Sequence, residues 1–310
     1  MFKTNENPLG LQNSQPMLAE PIWLKLINPS SAQINQIAQQ YDISADLISA
    51  GLDQYAVPRI QRKQHSTLII THLPFENTDD CNISFCTKPF ALIAQHNVVL
   101  MISQYDHPIF DRMIQHHVTT QSLHVHSYFI YRLLELGADQ FIYAIKMVNQ
   151  RIDDVEQELK QSIKNNQIFK LLDHNKSLNQ CATSLKGNAK VLTQLRTDSV
   201  FHRHPEADNL LLNVMVETQQ AQAMAETHNI NLCNLMDSYS AAIENNLSLL
   251  VQYLSIYVIV GAIPLGIASI YGMNIPLPLQ DEPYALVLLA LVAVISTTAM
   301  ILIFKKRQII

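Results

Sequence analysis

Two long uncharged segments near the C-terminal end most constrain how this chain can fold. Residues 247–270 form 24 positions without a charged side chain, and residues 284–304 form 21. An α-helix rises about 1.5 Å per residue, so each segment can cross the roughly 30 Å hydrocarbon core of a bilayer. Gly261, Pro264 and Gly266 would weaken a soluble helix, but membrane helices tolerate them. The sequence therefore predicts two transmembrane helices rather than a buried pair of core helices.

The orientation of these helices follows from the basic residues around them. Lys305, Lys306 and Arg307 come directly after the second segment, whereas the connecting loop 271–283 contains no Lys or Arg. Cytoplasmic flanks of membrane helices are enriched in Lys and Arg. We therefore expect an inner (plasma) membrane protein with two spans, an external loop, a basic cytosolic tail at 305–310, and both termini in the cytoplasm.

The part of the chain before the spans is expected to be cytosolic. Residues 1–20 have no apolar run and are interpreted as a flexible tail rather than a signal peptide. Residues 21–135 predict an α/β domain. Its branched runs indicate strands at 66–75, 91–95 and 98–103, with a hairpin turn at His96 and Asn97. The spacing of apolar residues indicates helices at 31–41 and 45–52.

A helical region follows this domain and leads into the membrane. Residues 136–204 show no strand pattern, and 142–163 place apolar residues at helical spacing. Pro205 suits a first helical turn, and neither glycine nor proline recurs before Gly261. We therefore expect one helix from about 206 to 270, roughly 100 Å long, of which 205–246 is a stalk and 247–270 the first span.

The charge along this helix is entirely acidic. No Lys or Arg lies between Arg203 and Lys305, but this interval holds eight carboxylates, namely Glu206, Asp208, Glu217, Glu226, Asp237, Glu244, Asp281 and Glu282. They can simply be the solvated face of a helix. If several copies pack around an axis, however, each acid becomes a ring that attracts cations. Two spans cannot enclose a pore, so conduction requires a symmetric homo-oligomer.

The loop between the spans has the chemistry expected of a pore mouth. Gly272 can adopt backbone angles that expose neighbouring carbonyls, and Asn274 offers a neutral amide oxygen. Neutral oxygens can hydrogen-bond the water shell that Mg²⁺ loses reluctantly, without holding the ion too long. Asp281 and Glu282 are better suited to attracting cations from outside. A simple turn between two membrane helices is the alternative interpretation.

The sequence Tyr-Gly-Met-Asn at 271–274 resembles the signature of the CorA family of divalent-cation transporters. Its placement makes the resemblance specific, since a long stalk helix precedes it and a short acidic loop, a second span and a basic tail follow. The segments WLKLINPS at 23–30 and VPRI at 57–60 also resemble the family, as does Glu244-Asn245 at the base of the first span.

This resemblance implies a funnel-shaped homopentamer that takes up Mg²⁺, and also Co²⁺ and Ni²⁺, down the electrochemical gradient. Residues Tyr271, Gly272, Met273 and Asn274 would form the selectivity filter, in which Met273 and Tyr271 pack to hold a ring of Gly272 and Asn274. The first span would line the pore through Ser248, Val251, Leu254, Ala262 and Leu265. Cytosolic Mg²⁺ would bind between subunits and close the pore. Asp208 and Glu217 are candidates for that regulatory metal because they are acids on the upper stalk.

Two features depart from the family pattern. Many members carry a hydroxyl residue nine positions before the asparagine, where this chain has Leu265, so the pore is expected to be more apolar below the filter. The loop reads PLPLQDEP where many relatives have an MPEL-type stretch, and Glu282 is expected to take over the acidic role.

Other functions remain open from the sequence. The twelve histidines include His116-His117, His202 with His204, and His124 with His126, which are expected to share one face of a strand. Imidazole suits zinc, but no set shows a full ligand spacing, and surface or packing roles are the alternative. The family resemblance also covers a ZntB-like zinc-transporting branch, so zinc transport, with or without proton coupling, is the alternative function. A membrane-anchored scaffold or sensor that conducts nothing is a further alternative. An enzyme is not expected, because phosphate-binding, dinucleotide-binding and hydrolase motifs are absent. We expect no cofactor and no nucleic-acid partner. The expected partners are the lipid bilayer, divalent metal ions and further copies of the chain.

Overall fold

A computed structural model describes residues 22–77, 84–95, 98–117, 125–161, 165–198, 205–273, 278 and 283–307. The described elements follow one another as β1 (Ile22–Ile27), α1 (Ser31–Tyr41), α2 (Ala45–Gly51), β2 (Arg59–Lys63), β3 (Ser66–Glu76), β4 (Phe85–Gln95), β5 (Val98–Ser103), α3 (Pro108–His117), α4 (Val125–Gln161), α5 (Asn165–Thr197), α6 (Pro205–Tyr271) and α7 (Ala285–Lys306). The chain divides into two compact units, residues 1–234 and 235–310.

The first unit is built on a five-stranded sheet with the order β1-β5-β4-β3-β2. β1 pairs in parallel with β5, and the remaining pairs are antiparallel. The predicted strands at 66–75, 91–95 and 98–103 are confirmed, as is the antiparallel pairing of the last two. β4 begins at Phe85, six residues before the predicted start. β1 and β2 were not predicted as strands.

Alternating side chains bury both faces of the sheet. One face packs against α1 and α2 through Leu68, Ile70, Ala91, Ile93, Leu100 and Ile102. The other packs against α3, α4 and parts of α5 and α6 through Ile69, Leu73, Phe90, Leu92, Val99 and Met101. Successive strand residues point to opposite faces, so runs such as LII at 68–70 fill two cores at once. A strand covered on both sides accounts for the nearly continuous apolar pattern seen in the sequence.

Helices α1 and α2 confirm the helices predicted at 31–41 and 45–52. α1 starts with a capping box, in which the Gln33 N–H donates to Ser30 Oγ at 3.4 Å and the Ser30 N–H donates to Gln33 Oε1 at 2.8 Å. These bonds satisfy backbone donors that the first turn leaves without a helical partner. The helix ends at Tyr41 and is capped by Asp42, which has a φ of 55°.

The outer edge of β3 is only partly covered by another strand. β2 pairs with β3 as far as Ile70, so the backbone beyond that residue has no strand neighbour on this side. There the His72 N–H donates to Asn188 Oδ1 at 2.9 Å, and Asn188 Nδ2 donates to the His72 carbonyl at 3.0 Å. A side-chain amide of α5 therefore replaces the missing strand and protects the open edge.

The predicted change from α/β to all-helical structure is confirmed for the described residues beyond 136, but the helical region starts earlier. α4 begins at Val125, so residues 125–135 are helical rather than part of the sheet region. His126 lies in this helix, and the expectation of a strand through His124 and His126 is therefore wrong at His126. The helix expected from about 206 to 270 is confirmed as α6, a 67-residue helix from Pro205 to Tyr271.

The second unit contains the C-terminal part of α6 and the whole of α7. Both helices contain an 18-residue window apolar enough to cross a membrane, with mean hydropathy 2.0 in α6 and 2.8 in α7, and neither window is buried. Exposed leucines and valines cover these windows, and Leu286 is 80% exposed. Apolar surface of this extent requires lipid or other copies of the chain as cover. Two candidate spans therefore lie where the sequence predicts them.

Candidate functional site

The candidate site is the junction where α6 ends and the loop towards α7 begins. The helical hydrogen bonds continue through Gly272, whose N–H donates to the Ala268 carbonyl at 3.0 Å. The Met273 N–H donates to the Ile270 carbonyl at 3.3 Å, which tightens the last turn. Gly272 and Met273 therefore extend directly from the end of the span, and Met273 is exposed.

Gly272 does not act as the sequence suggested. No described glycine has a positive φ, so Gly272 does not use the left-handed conformation that glycine permits. A Cβ at this position would lie 3.3 Å from the Ala268 carbonyl oxygen and 3.6 Å from that of Ser269. Its missing side chain therefore leaves open space beside the carbonyls of the last helical turn. The expectation that the neighbouring carbonyls are exposed remains a prediction. The expectation of an unusual backbone angle at Gly272 is wrong.

Tyr271 makes a contact that the motif alone did not indicate. Its hydroxyl donates to the Pro278 carbonyl at 3.2 Å, which joins the end of α6 to a position seven residues further along the loop. A proline cannot donate a backbone hydrogen bond, but its carbonyl remains a full acceptor. Tyr271 was expected to hold the filter by packing. The structure adds a specific hydrogen bond from its phenol, which only the position of Pro278 in the folded loop reveals.

Three of the predicted site residues lie outside the described residues. These are Asn274 of the filter, and Asp281 and Glu282, expected to attract cations. α7 resumes after the loop, where the Leu288 N–H donates to the Tyr284 carbonyl at 3.0 Å. It ends with Lys305 and Lys306 in its last turn. The basic residues are thus placed directly at the end of the second candidate span, as the orientation argument requires.

The predicted pore-lining residues occupy one side of α6. At 100° per residue, they fall within an arc of about 120°: Ser248, Val251, Leu254, Ala262 and Leu265. All five are exposed in the single chain, with Leu265 at 71%. Exposure does not single out this side, because Tyr257 on another side is 78% exposed. The assignment of a pore-lining face remains a prediction.

Asp208 and Glu217, the candidates for a regulatory metal, are not brought together within one chain. Nine residues separate them on α6, which places them about 13 Å apart along the axis and on opposite sides. Among the described residues, no group of three or more His, Cys, Asp or Glu is arranged to hold a metal ion.

The surroundings of these two acids differ. Asp208 lies near the fully buried Tyr131, where burial first and the charge of Asp208 second raise the pKa of the phenol. The buried Oε2 of Glu217 has no hydrogen-bond partner in the described structure. Burial first and the nearby Asp139 second raise the pKa of Glu217, although Arg132 opposes this effect. Glu217 is thus a carboxylate whose charge is poorly stabilised.

Comparisons with known proteins agree with this arrangement. The model of the CorA-like Mg²⁺ transporter protein family matches residues 19–306. The cobalt/magnesium transport protein CorA of Methanocaldococcus jannaschii is 22% identical over 291 residues, covering 92% of this chain and 90% of that protein. The complete structure of the CorA magnesium transporter from M. jannaschii superposes with a TM-score of 0.83 at 20% identity, covering 95% of this chain and 93% of that one. The full-length CmaX protein gives a TM-score of 0.72 at 15% identity, covering 94% and 90%.

These findings define the class of the molecule as a membrane transporter with an α/β domain, a long helix and a C-terminal apolar helix. The chain belongs to the CorA-like Mg²⁺ transporter family. The resemblance inferred from residues 271–274 and their placement is thereby confirmed. Family membership makes the chain an ion transporter rather than an enzyme, with Mg²⁺ as its cargo and no cofactor.

Proposed function

We propose that the chain forms a channel for Mg²⁺ influx, which also carries Co²⁺ and Ni²⁺ down the electrochemical gradient. The observation that carries this proposal is the placement of residues 271–273 at the end of one candidate span, with a second span beginning at Ala285. The names of the similar transport proteins, which specify cobalt and magnesium, support the choice of ions.

The conducting form is a homopentamer embedded in the plasma membrane. A single chain offers only two spans, and its apolar helices are exposed all round. In the pentamer, α6 lines the pore and α7 faces the lipid. Lys305, Lys306 and Arg307 at the end of α7 favour a cytoplasmic C-terminus, which places the loop outside and the first unit inside.

The filter is a ring of Gly272 and Asn274 from each copy, held in place by Met273 and Tyr271. The hydrogen bond from Tyr271 to Pro278 supports this role, because it fixes the loop relative to the end of the helix. Neutral oxygens bind the hydration shell of Mg²⁺ without removing it, so the ion can leave again. Asp281 and Glu282 raise the local concentration of cations outside the ring.

Cytosolic Mg²⁺ closes this channel by binding between subunits. Asp208 and Glu217 are the candidate ligands, and their separation within one chain is consistent with a site shared between two copies. Binding there would offset the unfavourable charge of Glu217, whose buried Oε2 has no hydrogen-bond partner in the described structure.

The proposal is tested by ion flux into liposomes that contain the purified protein. Mg²⁺, Co²⁺ and Zn²⁺ are supplied separately, with and without a pH gradient. We expect Mg²⁺ flux that needs no pH gradient. Zn²⁺ flux that rises with a proton gradient would instead assign the chain to a zinc-transporting branch, and no flux from an assembled oligomer would favour a scaffold or sensor.

Asn274→Ala tests the filter assignment directly. The substitution removes the neutral amide oxygen but leaves the helices unchanged, so flux should be abolished while the oligomer still assembles. Oligomer size, measured by chromatography in detergent, serves as the control for folding. Normal flux in Asn274→Ala would remove Asn274 from the filter.

A further inference from the structure

Three asparagine side chains form a closed ring of hydrogen bonds between α5 and α6. Asn175 Nδ2 donates to Asn229 Oδ1 at 2.8 Å, Asn229 Nδ2 donates to Asn179 Oδ1 at 2.9 Å, and Asn179 Nδ2 donates to Asn175 Oδ1 at 3.0 Å. Asn175 Nδ2 also lies 3.4 Å from Cys233 Sγ. We refer to Asn175, Asn179 and Asn229 as the amide ring.

The amide ring defines how the two helices are aligned. Asn175 and Asn179 are one turn apart on α5, and Asn229 and Cys233 are one turn apart on α6. A slide of either helix by one turn, about 5.4 Å, would separate every pair in this cluster. Rotation of either helix would do the same. The ring is therefore specific for a single register between α5 and α6.

The ring lies where the packing of α6 against its own domain becomes sparse. Buried residues occur at short intervals from Ala207 to Ala225, and Leu232 is the last described buried residue of the helix. Leu211 and Val214, further up, are almost completely buried. At the ring itself, Asn179 and Cys233 are exposed to solvent. The upper stretch is thus held by apolar burial at many positions, whereas the stretch around the ring combines the buried Leu232 with amide hydrogen bonds beside water.

These two kinds of contact differ in how readily they separate. When apolar side chains separate, the stabilising free energy lost is proportional to the apolar area that becomes exposed to water. Hydrogen bonds between amides at a solvated edge can be replaced by hydrogen bonds to water with a small net change in free energy. The geometry of the ring therefore permits only one alignment of α5 and α6, yet the ring can open at a small cost in free energy.

We propose that the amide ring is a breakable clasp that holds α6 in register with α5 while the channel is closed and opens when the channel conducts. The proposal rests on the proposed function, because flux is its main readout. In the proposed function, Mg²⁺ regulates the channel by binding between copies of the chain. The amide ring would add a second regulatory contact, between α5 and α6 within each copy.

A disulfide can lock this joint. Asn175→Cys introduces a thiol opposite the native Cys233, whose sulfur lies 3.4 Å from the Asn175 amide nitrogen. Oxidation should form the disulfide, reduce Mg²⁺ flux about tenfold or more, and be reversed by a reductant. The matched control combines Asn175→Cys with Cys233→Ser, which leaves Cys81, Cys86 and Cys181 in place. Its flux should not respond to the oxidant.

Opening the clasp by mutation should have the opposite effect. Asn175→Ala with Asn229→Ala removes the ring, and flux at a cytosolic Mg²⁺ concentration that closes the parent protein should rise several-fold. Asn231→Ala, an exposed asparagine on the same helix, is the control and should leave flux unchanged. Equal flux in the oxidised and reduced Asn175→Cys protein would overturn the proposal, as would failure of the disulfide to form.

A second readout separates this proposal from the proposed function. If the unlocked protein transports no ion, the rate of disulfide formation in Asn175→Cys is compared with and without Mg²⁺. Several-fold slower formation after Mg²⁺ removal would show that α5 and α6 still separate at this position, even though channel activity has failed. Equal rates of disulfide formation with and without Mg²⁺ would overturn the proposal.

Discussion

At the scale of single residues, Glu217 is a carboxylate whose surroundings disfavour its negative charge. Burial and Asp139 raise its pKa, and its buried Oε2 has no partner in the described structure. A folded-state pKa above the unfolded value means that the folded protein binds more protons between the two values. The charged form therefore costs stability at neutral pH, and the cost disappears as pH falls to the ordinary pKa of glutamate, about 4.3.

Glu217→Gln should consequently stabilise the protein at pH 7 to 8 and have no effect near pH 4. The amide keeps the shape of the side chain but removes the charge that burial disfavours. The thermal midpoint can be followed through the fluorescence of the single tryptophan, Trp23, in detergent. Glu226→Gln, on an exposed position of the same helix, is the control. A stabilisation of equal size at both pH values would contradict the proposed cause.

Thr71 is a second residue whose polar group lacks a described partner. It is 1% exposed, its Oγ1 makes no hydrogen bond, and a cavity of about 10 Å³ lies beside it, lined also by Asn188 and Thr218. An orphan buried hydroxyl costs about 1–3 kcal/mol, and a methyl group of the same shape removes that cost.

Thr71→Val should therefore raise the free energy of unfolding by about 1 kcal/mol. The matched control is Thr87→Val, because Thr87 Oγ1 accepts a hydrogen bond from Ser184 at 2.8 Å and its loss should destabilise the protein. Midpoints of thermal unfolding in detergent compare the two variants. Destabilisation by Thr71→Val would mean that a water in the cavity satisfies the hydroxyl.

At the scale of elements, α5 approaches the sheet closely through a glycine. A Cβ at Gly187 would lie 2.8 Å from Pro58 Cγ and 3.2 Å from Pro58 Cβ, and the proline ring cannot move aside as a flexible side chain would. The same stretch of α5 supplies Asn188, which covers the edge of β3. The close approach at Gly187 therefore allows the amide of Asn188 to reach the strand.

Gly187→Ala should displace α5 from this position and destabilise the protein by about 1–3 kcal/mol, the usual cost of overpacking. The loss would occur although alanine has the higher helix propensity, which by itself would favour the substitution. Thermal unfolding provides the measurement. The control is Gly137→Ala, where the added Cβ would meet only the end of the Leu73 side chain at 3.1 Å. Gly137→Ala should therefore lower the stability less than Gly187→Ala does. An unchanged midpoint in Gly187→Ala would show that α5 can shift without cost.

The elements predicted from the sequence are those with a strong local pattern. β3, β4 and β5 are runs of branched apolar residues, which indicate strands by themselves. α6 lacks glycine and proline over a long stretch, which indicates a long helix without tertiary information. β2 is the short polar segment RIQRK, whose strand state depends on pairing with β3. β1 pairs in parallel with β5, more than seventy residues away, and such a contact has no local signal.

At the scale of the whole molecule, the candidate site could be predicted only in part. The tetrapeptide at 271–274 and the two apolar segments identify the family, because their order along the chain is itself specific. The hydrogen bond from Tyr271 to Pro278 and the amide ring could not be predicted. Both depend on where the residues lie in the folded chain, and no sequence pattern marks them. The filter role proposed for Asn274 depends on several copies meeting at an axis, which one chain does not contain.

The acidic loop provides a prediction that belongs to the assembled channel. In the proposed pentamer, two carboxylates from each copy would make the external mouth strongly negative. Such a charge attracts cations over a distance that depends on the salt concentration. Asp281→Asn with Glu282→Gln should therefore reduce Mg²⁺ uptake several-fold at low ion concentration and low ionic strength. At 1 M salt the Debye length is about 3 Å, so the variant and the parent should then transport equally.

Initial rates of uptake into liposomes over a series of salt concentrations test this dependence. Gln280→Ala alters the same loop without a change in charge and should follow the parent at every salt concentration. A deficit in the doubly neutralised variant that stays constant across the series would mean that the carboxylates act by shaping the loop rather than by attraction at a distance. A deficit that disappears with salt would place them outside the filter, because an ion held in direct contact is screened much less.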